Sequence, residues 1–181
     1  MPAAKGHMLP TLLVFTTLIG SLSAFALQAS GRWIDQTSAN AVAQRLQVEL
    51  ALAREAAVIL RRHVTFCRSD DQRRCAPVGA WSRGTMTFED RNNNLRREPN
   101  ESLLRTTQAA DYHGLHLIDH AVRRHIRFQP DGRSAGTHVT LQLCSENFAP
   151  LRLVLISTGG QVRLVKPPRG TPHCGSGHLP H

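Results

Sequence analysis

Asp90-Arg91-Asn92-Asn93-Asn94, with Glu101 eleven places after Asp90, sets oxygen ligands at several positions of a twelve-residue calcium loop. The sixth position of such a loop calls for Gly at its sharp turn, and here it is Leu95. The expectation is therefore an Asx-rich turn whose side chains bond nearby amides, with no metal. His113, His116, His120 and His125 crowd into one short window, where an i,i+4 pair such as His116 and His120 would hold zinc on a helix. Solvated loop histidines are the expectation there, and also for His173, His178 and His181 in the tail. No G-x-S-x-G elbow, H-E-x-x-H helix or phosphate-binding glycine loop occurs, so the chain reads as a non-enzyme that needs no cofactor.

The four cysteines, Cys67, Cys75, Cys144 and Cys174, form an even set in a chain that opens on an export-type signal, which argues for two disulfides in an oxidising compartment. The C-x7-C spacing is too wide for a zinc knuckle. Three connectivities are possible; pairing of neighbours, Cys67 with Cys75 and Cys144 with Cys174, is the expectation.

Lys and Arg total 22 against 13 Asp and Glu, which admits an anionic partner. All but Lys5 and Lys166 are arginines, scattered as doublets. That pattern fits a coding bias, and net charge alone points only weakly to nucleic acid.

These residues need elements to position them. From Gly6 to Gly31 there is no Asp, Glu, Lys or Arg, and the nineteen residues Leu9–Leu27 are almost wholly apolar. As a helix they span about 28 Å, the thickness of a bilayer core. The Ala24-Phe25-Ala26 triplet offers a signal-peptidase site as the alternative fate of this run. Ser38 or Asn40 can cap a second helix, in which Val42, Leu46, Leu50, Ala53, Ala57 and Leu60 recur at helical spacing and Arg45, Glu49 and Arg54 form the polar face. The two helical stretches could also be one. Short strand-like runs follow at 63–67, 81–90, 115–118, 124–128, 138–143, 151–157 and 161–165. Turn signals lie at Asp70-Asp71-Gln72, Pro130-Asp131-Gly132 and Thr158-Gly159-Gly160. The predicted fold class is α+β, an amphipathic helix covering antiparallel strands, with an irregular tail from Pro167.

The layout and several motifs resemble the GspH/FimT family of minor pilins and pseudopilins. The leader MPAAKG ends in Lys5-Gly6, and Trp81 to Asn94 (WSRGTMTFEDRNNN) is similar to the family's W-G-F-D-N-N segment. Phe128-Gln129-Pro130-Asp131-Gly132, Leu141-Gln142-Leu143-Cys144 and the hairpin Leu153–Arg163 match further family motifs in order. The resemblance covers nearly all of the chain beyond Ala41. It implies a prepilin-type leader at 1–6, a transmembrane or pilus-core helix at 7–29, an amphipathic helix at 30–63 and a periplasmic β-rich head at 64–181. It also makes the histidine window loop and strand.

By the same resemblance a prepilin peptidase cuts between Gly6 and His7, and the new amine of His7 is methylated. The subunit sits in the bacterial inner membrane as a single-pass protein and then in a pilus or pseudopilus. Its partners are other pilins, and its role is to start assembly or cap the tip. Members follow the cleavage glycine with Phe-Thr-Leu-Ile-Glu, whereas this chain has Thr11 in place of the Glu. Some FimT-like members bind double-stranded DNA near a C-terminal GRxR hairpin. Here that stretch reads Gly160-Gln161-Val162-Arg163, leaving Arg163, Lys166 and Arg169 as the candidate DNA contacts.

Overall fold

In a computed structural model the described residues are 8–77, 80–119, 124–136, 138–171 and 174, with side chains described for all of these except 8–10 and 22–33. They divide into two units, Met1–Thr37 and Ser38–His181. Helix α1 is Met8–Leu60.

In the first unit, the side chains from Thr11 to Ser21 are exposed. Its hydroxyls bond back onto the helix: Thr16 Oγ1 donates to Leu13 O at 3.0 Å, Thr17 Oγ1 to Val14 O at 2.9 Å and Ser21 Oγ to Leu18 O at 2.9 Å. Polar side chains that satisfy themselves in this way are compatible with an apolar surrounding. Among the described residues no helix is long and apolar enough to cross a membrane; of the expected run Leu9–Leu27, the side chains of residues 9–10 and 22–27 lie outside those described.

In the second unit, α1 lays an apolar stripe on the sheets through Ala39, Val42, Ala43, Leu46, Leu50, Ala53 and Ala57, all at most 3% exposed. The alanines let the helix backbone approach the sheets, and each buried leucine contributes roughly 1.5–3 kcal/mol by leaving water. The expected cap at Ser38 or Asn40 is not formed, because α1 continues through both; Asn40 Oδ1 instead accepts from Arg152 Nε. Leu60, expected on the buried stripe, is 41% exposed because the helix stops there and Arg61 turns the chain at φ 51°.

Among the described residues eight strands follow: β1 Val64–Arg68, β2 Gly84–Glu89, β3 Leu103–Gln108, β4 His116–Asp119, β5 His125–Phe128, β6 Val139–Cys144, β7 Pro150–Ile156 and β8 Val162–Val165. They form two antiparallel four-stranded sheets, ordered β3-β2-β1-β5 and β4-β6-β7-β8. Residues 81–90, expected to form one strand, begin instead with a 3-10 turn at Trp81–Arg83. That turn stacks Trp81 on Phe66 with centroids 5.5 Å apart. β3 has no counterpart among the expected strands: five of its six side chains are not buried and it opens on adjacent leucines, so no alternation marks it.

The main core joins the α1 stripe to Phe66, Ile126, Phe128, Leu117, Leu141, Leu143, Val154 and Ile156. A smaller core of Cys67, Met86 and Phe88 lies apart from it, with Cys75 packed against it. Disulfides join Cys67 to Cys75 and Cys144 to Cys174.

Candidate functional site

The Asp90–Glu101 loop is closed by its own hydrogen bonds. Buried Asp90 accepts from Thr65 Oγ1 at 3.0 Å and from the Asn94 N–H at 3.1 Å, and Arg127 Nη2 approaches it at 3.4 Å. Both oxygens of Glu101 accept main-chain N–H groups, of Arg91 at 2.7 Å and of Glu98 at 2.9 Å. Carboxylates engaged on protein donors have little left to offer a cation. Leu95, where a calcium loop needs Gly, takes the left-handed conformation regardless, at φ 61°.

Among the described residues the histidines of the window fall on different elements. His113 ends a short 3-10 turn at φ 50°, His116 stacks on Phe148 from β4, and His125 lies in β5 of the other sheet. His120, His173, His178 and His181 lie outside the described residues. No group of three or more His, Cys, Asp or Glu able to hold a metal occurs among the described residues. Gly6 and His7, the proposed processing point, also lie outside them.

The C-terminal hairpin is built by two docked turns. Gly132 N donates to Gln129 O at 2.8 Å and Gly160 N to Ser157 O at 2.9 Å. Gly160 has φ +78°, and a Cβ there would collide with Gly132 O. Arg54 of α1 crosses both turns, its Nε donating to Gly132 O at 2.9 Å. Beyond this anchor β8 runs along the edge of its sheet, with Arg163, Lys166 and Arg169 exposed. None of the three forms an ion pair among the described residues; Arg163 Nη2 reaches only Gln161 Oε1, at 3.4 Å. Between β8 and α1 lies an open groove of about 330 Å³, lined by Gln47, Ala51, Arg54, Glu55, Gln161 and Arg163, among others.

A second polar assembly sits under the opposite side of α1. Glu49, expected on the polar face, is 1% exposed. Its Oε1 accepts from Thr87 Oγ1 at 3.2 Å, Arg105 Nε stands 3.9 Å from Oε2, and Oε2 has no hydrogen bond among the described residues. Burial raises the Glu49 carboxyl above its ordinary range, against the pull of Arg105, Thr87 and Arg45. Next to it Arg45 pairs with Asp111 at 3.3 Å and lies over the Tyr112 ring, and burial raises the Tyr112 phenol.

A family model described as Type II transport protein GspH matches residues 42–160. The chain belongs to the GspH family. The type IV minor pilin FimU of Pseudomonas aeruginosa superposes with a TM-score of 0.53 at 21% identity, covering 70% of this chain and 91% of that one. A second crystal form gives 0.53 at 20%, over 71% and 87%. The minor pseudopilin EpsH from the Type 2 Secretion System of Vibrio cholerae gives 0.50 at 17%, over 71% and 97%. At these identities the likeness establishes the fold. No curated protein matches.

The GspH match takes in the Asp90 loop, both docked turns and three of the four cysteines; Arg163, Lys166 and Arg169 lie beyond it. The features that sequence reasoning missed in this GspH-family chain are the α1 side of the groove and the burial of Glu49. The second had a signal: Leu46, Glu49, Ala53 and Ala57 follow the three- and four-residue spacing of the apolar stripe itself.

Proposed function

We propose that this chain is a structural subunit of a type IV pilus or a type II secretion pseudopilus, and that it helps to start assembly or caps the tip. The observation that carries the reading is the GspH match over 42–160 on a fold where one helix stripe lies on two antiparallel sheets. FimU and EpsH, a minor pilin and a minor pseudopilin, have the same fold. In this reading the charge-free run Leu9–Leu27 anchors the subunit in the inner membrane, with the head in the periplasm. Prepilin peptidase cuts between Gly6 and His7, His7 is methylated, and the run then packs among like helices whose core replaces lipid. Thr11 offers no carboxylate to a neighbour's terminal amine, which suits a position at the tip, where no such pairing is required.

The test is fractionation. In cells assembling filaments, the chain is expected in the sheared filament fraction, and Leu18→Asp, which places a charge in the run, is expected to remove it. Recovery only from the soluble periplasm contradicts the reading.

A second reading, reception of double-stranded DNA, is favoured by the three exposed cations Arg163, Lys166 and Arg169, which lack ion pairs among the described residues. Each phosphate contact lowers the slope of log affinity against log salt by about 0.9, so Arg163→Ala with Lys166→Ala should flatten it by roughly 1.8 in a mobility-shift titration. No shift at low salt removes this reading.

A further inference from the structure

We propose that β8 is an acceptor edge: an extended acidic segment of another polypeptide adds to the sheet beside it. This goes beyond assembly and holds whether or not the chain enters a filament. Among the described residues β8 pairs only with β7. Ser157 N donates to Gln161 O at 3.0 Å, so by the alternation of an antiparallel ladder Arg163 and Val165 also turn their main-chain groups toward β7. Val162 and Leu164 then turn theirs outward. The Val162 carbonyl bears this out, because it accepts from the side chain of Gln47 at 3.3 Å rather than from a strand. That long bond to a flexible amide is one that an incoming main-chain N–H can replace. Pro167 and Pro168 end the edge, which limits it to a short strand.

The alternation also sorts the side chains. Those of Val162 and Leu164 pack against the core, whereas those of Arg163 and Val165 are exposed. An added strand would present one set of side chains to the groove of about 330 Å³ between α1 and β8, and the other set to Arg163. Lys166 and Arg169 stand at the strand's end. Charges on an edge strand usually serve to block pairing. Here they are all of one sign, so they repel a second copy of β8 and favour a strand with carboxylates on its outer face. Glu55 lines the α1 side of the groove, which calls for neutral side chains on the inward face. The hairpin is held by the docked turns at Gly132 and Gly160 and by Arg54, so the edge is set before a partner arrives. The phosphates of duplex DNA can accept the outward N–H groups but offer no donor to the outward carbonyls, and this favours a polypeptide, which supplies both, at the site.

The experiment uses the full chain and a labelled peptide of about eight residues alternating Val and Glu, a length near that of an ordinary strand. Anisotropy is read alongside hydrogen exchange at the Leu164 amide. Binding is expected, with that amide slowed at least about tenfold; Arg163→Glu with Lys166→Glu, or N-methylation of alternate peptide nitrogens, should weaken binding by at least about tenfold. The proposal is overturned if the acidic peptide does not bind, if a Val/Lys peptide binds as well, or if the N-methylated peptide binds unchanged. Binding of duplex DNA that the acidic peptide does not displace also overturns it and makes the cluster a nucleic-acid site.

Discussion

Replacing Glu49 with Gln should stabilise the folded head at neutral pH and have little effect in acid. Glu49 is 1% exposed, with one 3.2 Å hydrogen bond from Thr87 and a second oxygen that has none among the described residues. The nearest cation, Arg105 at 3.9 Å, is 46% exposed, so water weakens its pull. Burial is the largest influence on this carboxyl and raises it above 4.5, with Asp111 adding to the rise. A raised acid binds its proton more tightly when folded than when unfolded. Stability therefore falls as pH climbs from the ordinary carboxyl value through the folded one, and the full cost stands above that window. Below about pH 4.5 the group is neutral in both states and the cost vanishes.

Gln mimics the neutral form and retains an acceptor for Thr87. A buried acceptor without a partner costs about 1–3 kcal/mol, and Arg105 offsets part of it. The expected gain at neutral pH is on the order of 1 kcal/mol, or about 2–4 °C in Tm for a domain of this size. Thermal unfolding of wild type and Glu49→Gln across the acid-to-neutral range reads it directly. Arg105→Ala should deepen the cost in the Glu49 background and leave the Gln background nearly unchanged. A variant that is less stable at neutral pH, or a difference that does not depend on pH, would refute the reasoning and make Glu49 and Arg105 a stabilising ion pair.

Glu101→Ala removes the acceptor of two main-chain N–H groups and should lower stability by about 2–3 kcal/mol in urea unfolding, while added calcium leaves the wild-type Tm unchanged. By loop length, losing the Cys144–Cys174 disulfide, with its separation of 30, should cost about 3.6 kcal/mol; losing Cys67–Cys75, with its separation of 8, should cost about 2.5 kcal/mol. Paired Ser variants compared by denaturant midpoint check that order. Gly160→Ala forces an L-residue into φ +78° against Gly132 O and should cost at least about 1–2 kcal/mol, again read by denaturant midpoint.

Much of this fold is legible in the sequence where burial is one-sided. β1, β6 and β7 are apolar runs between turn residues, and Gly132 and Gly160 punctuate where positive φ is required. β3 is not legible, because an edge strand with mostly unburied side chains owes its place to main-chain bonds with β2, which leave no mark on residue type. Glu49 has the charge of a surface residue but the spacing of the apolar stripe, and its neighbours on that stripe fix it inside. Val48, Leu52 and Ile59 show the reverse case, apolar residues that α1 leaves between 50% and 78% exposed. The groove beside β8 joins α1 to residues more than a hundred positions away, a juxtaposition that only the folded chain supplies.

The central claim, a subunit that keeps its apolar run for assembly, is tested most directly by the intact mass of the mature protein isolated from membranes. The account predicts a chain that begins at His7 and carries one added methyl group. A chain that begins at Leu27, cut after Ala26, would contradict it.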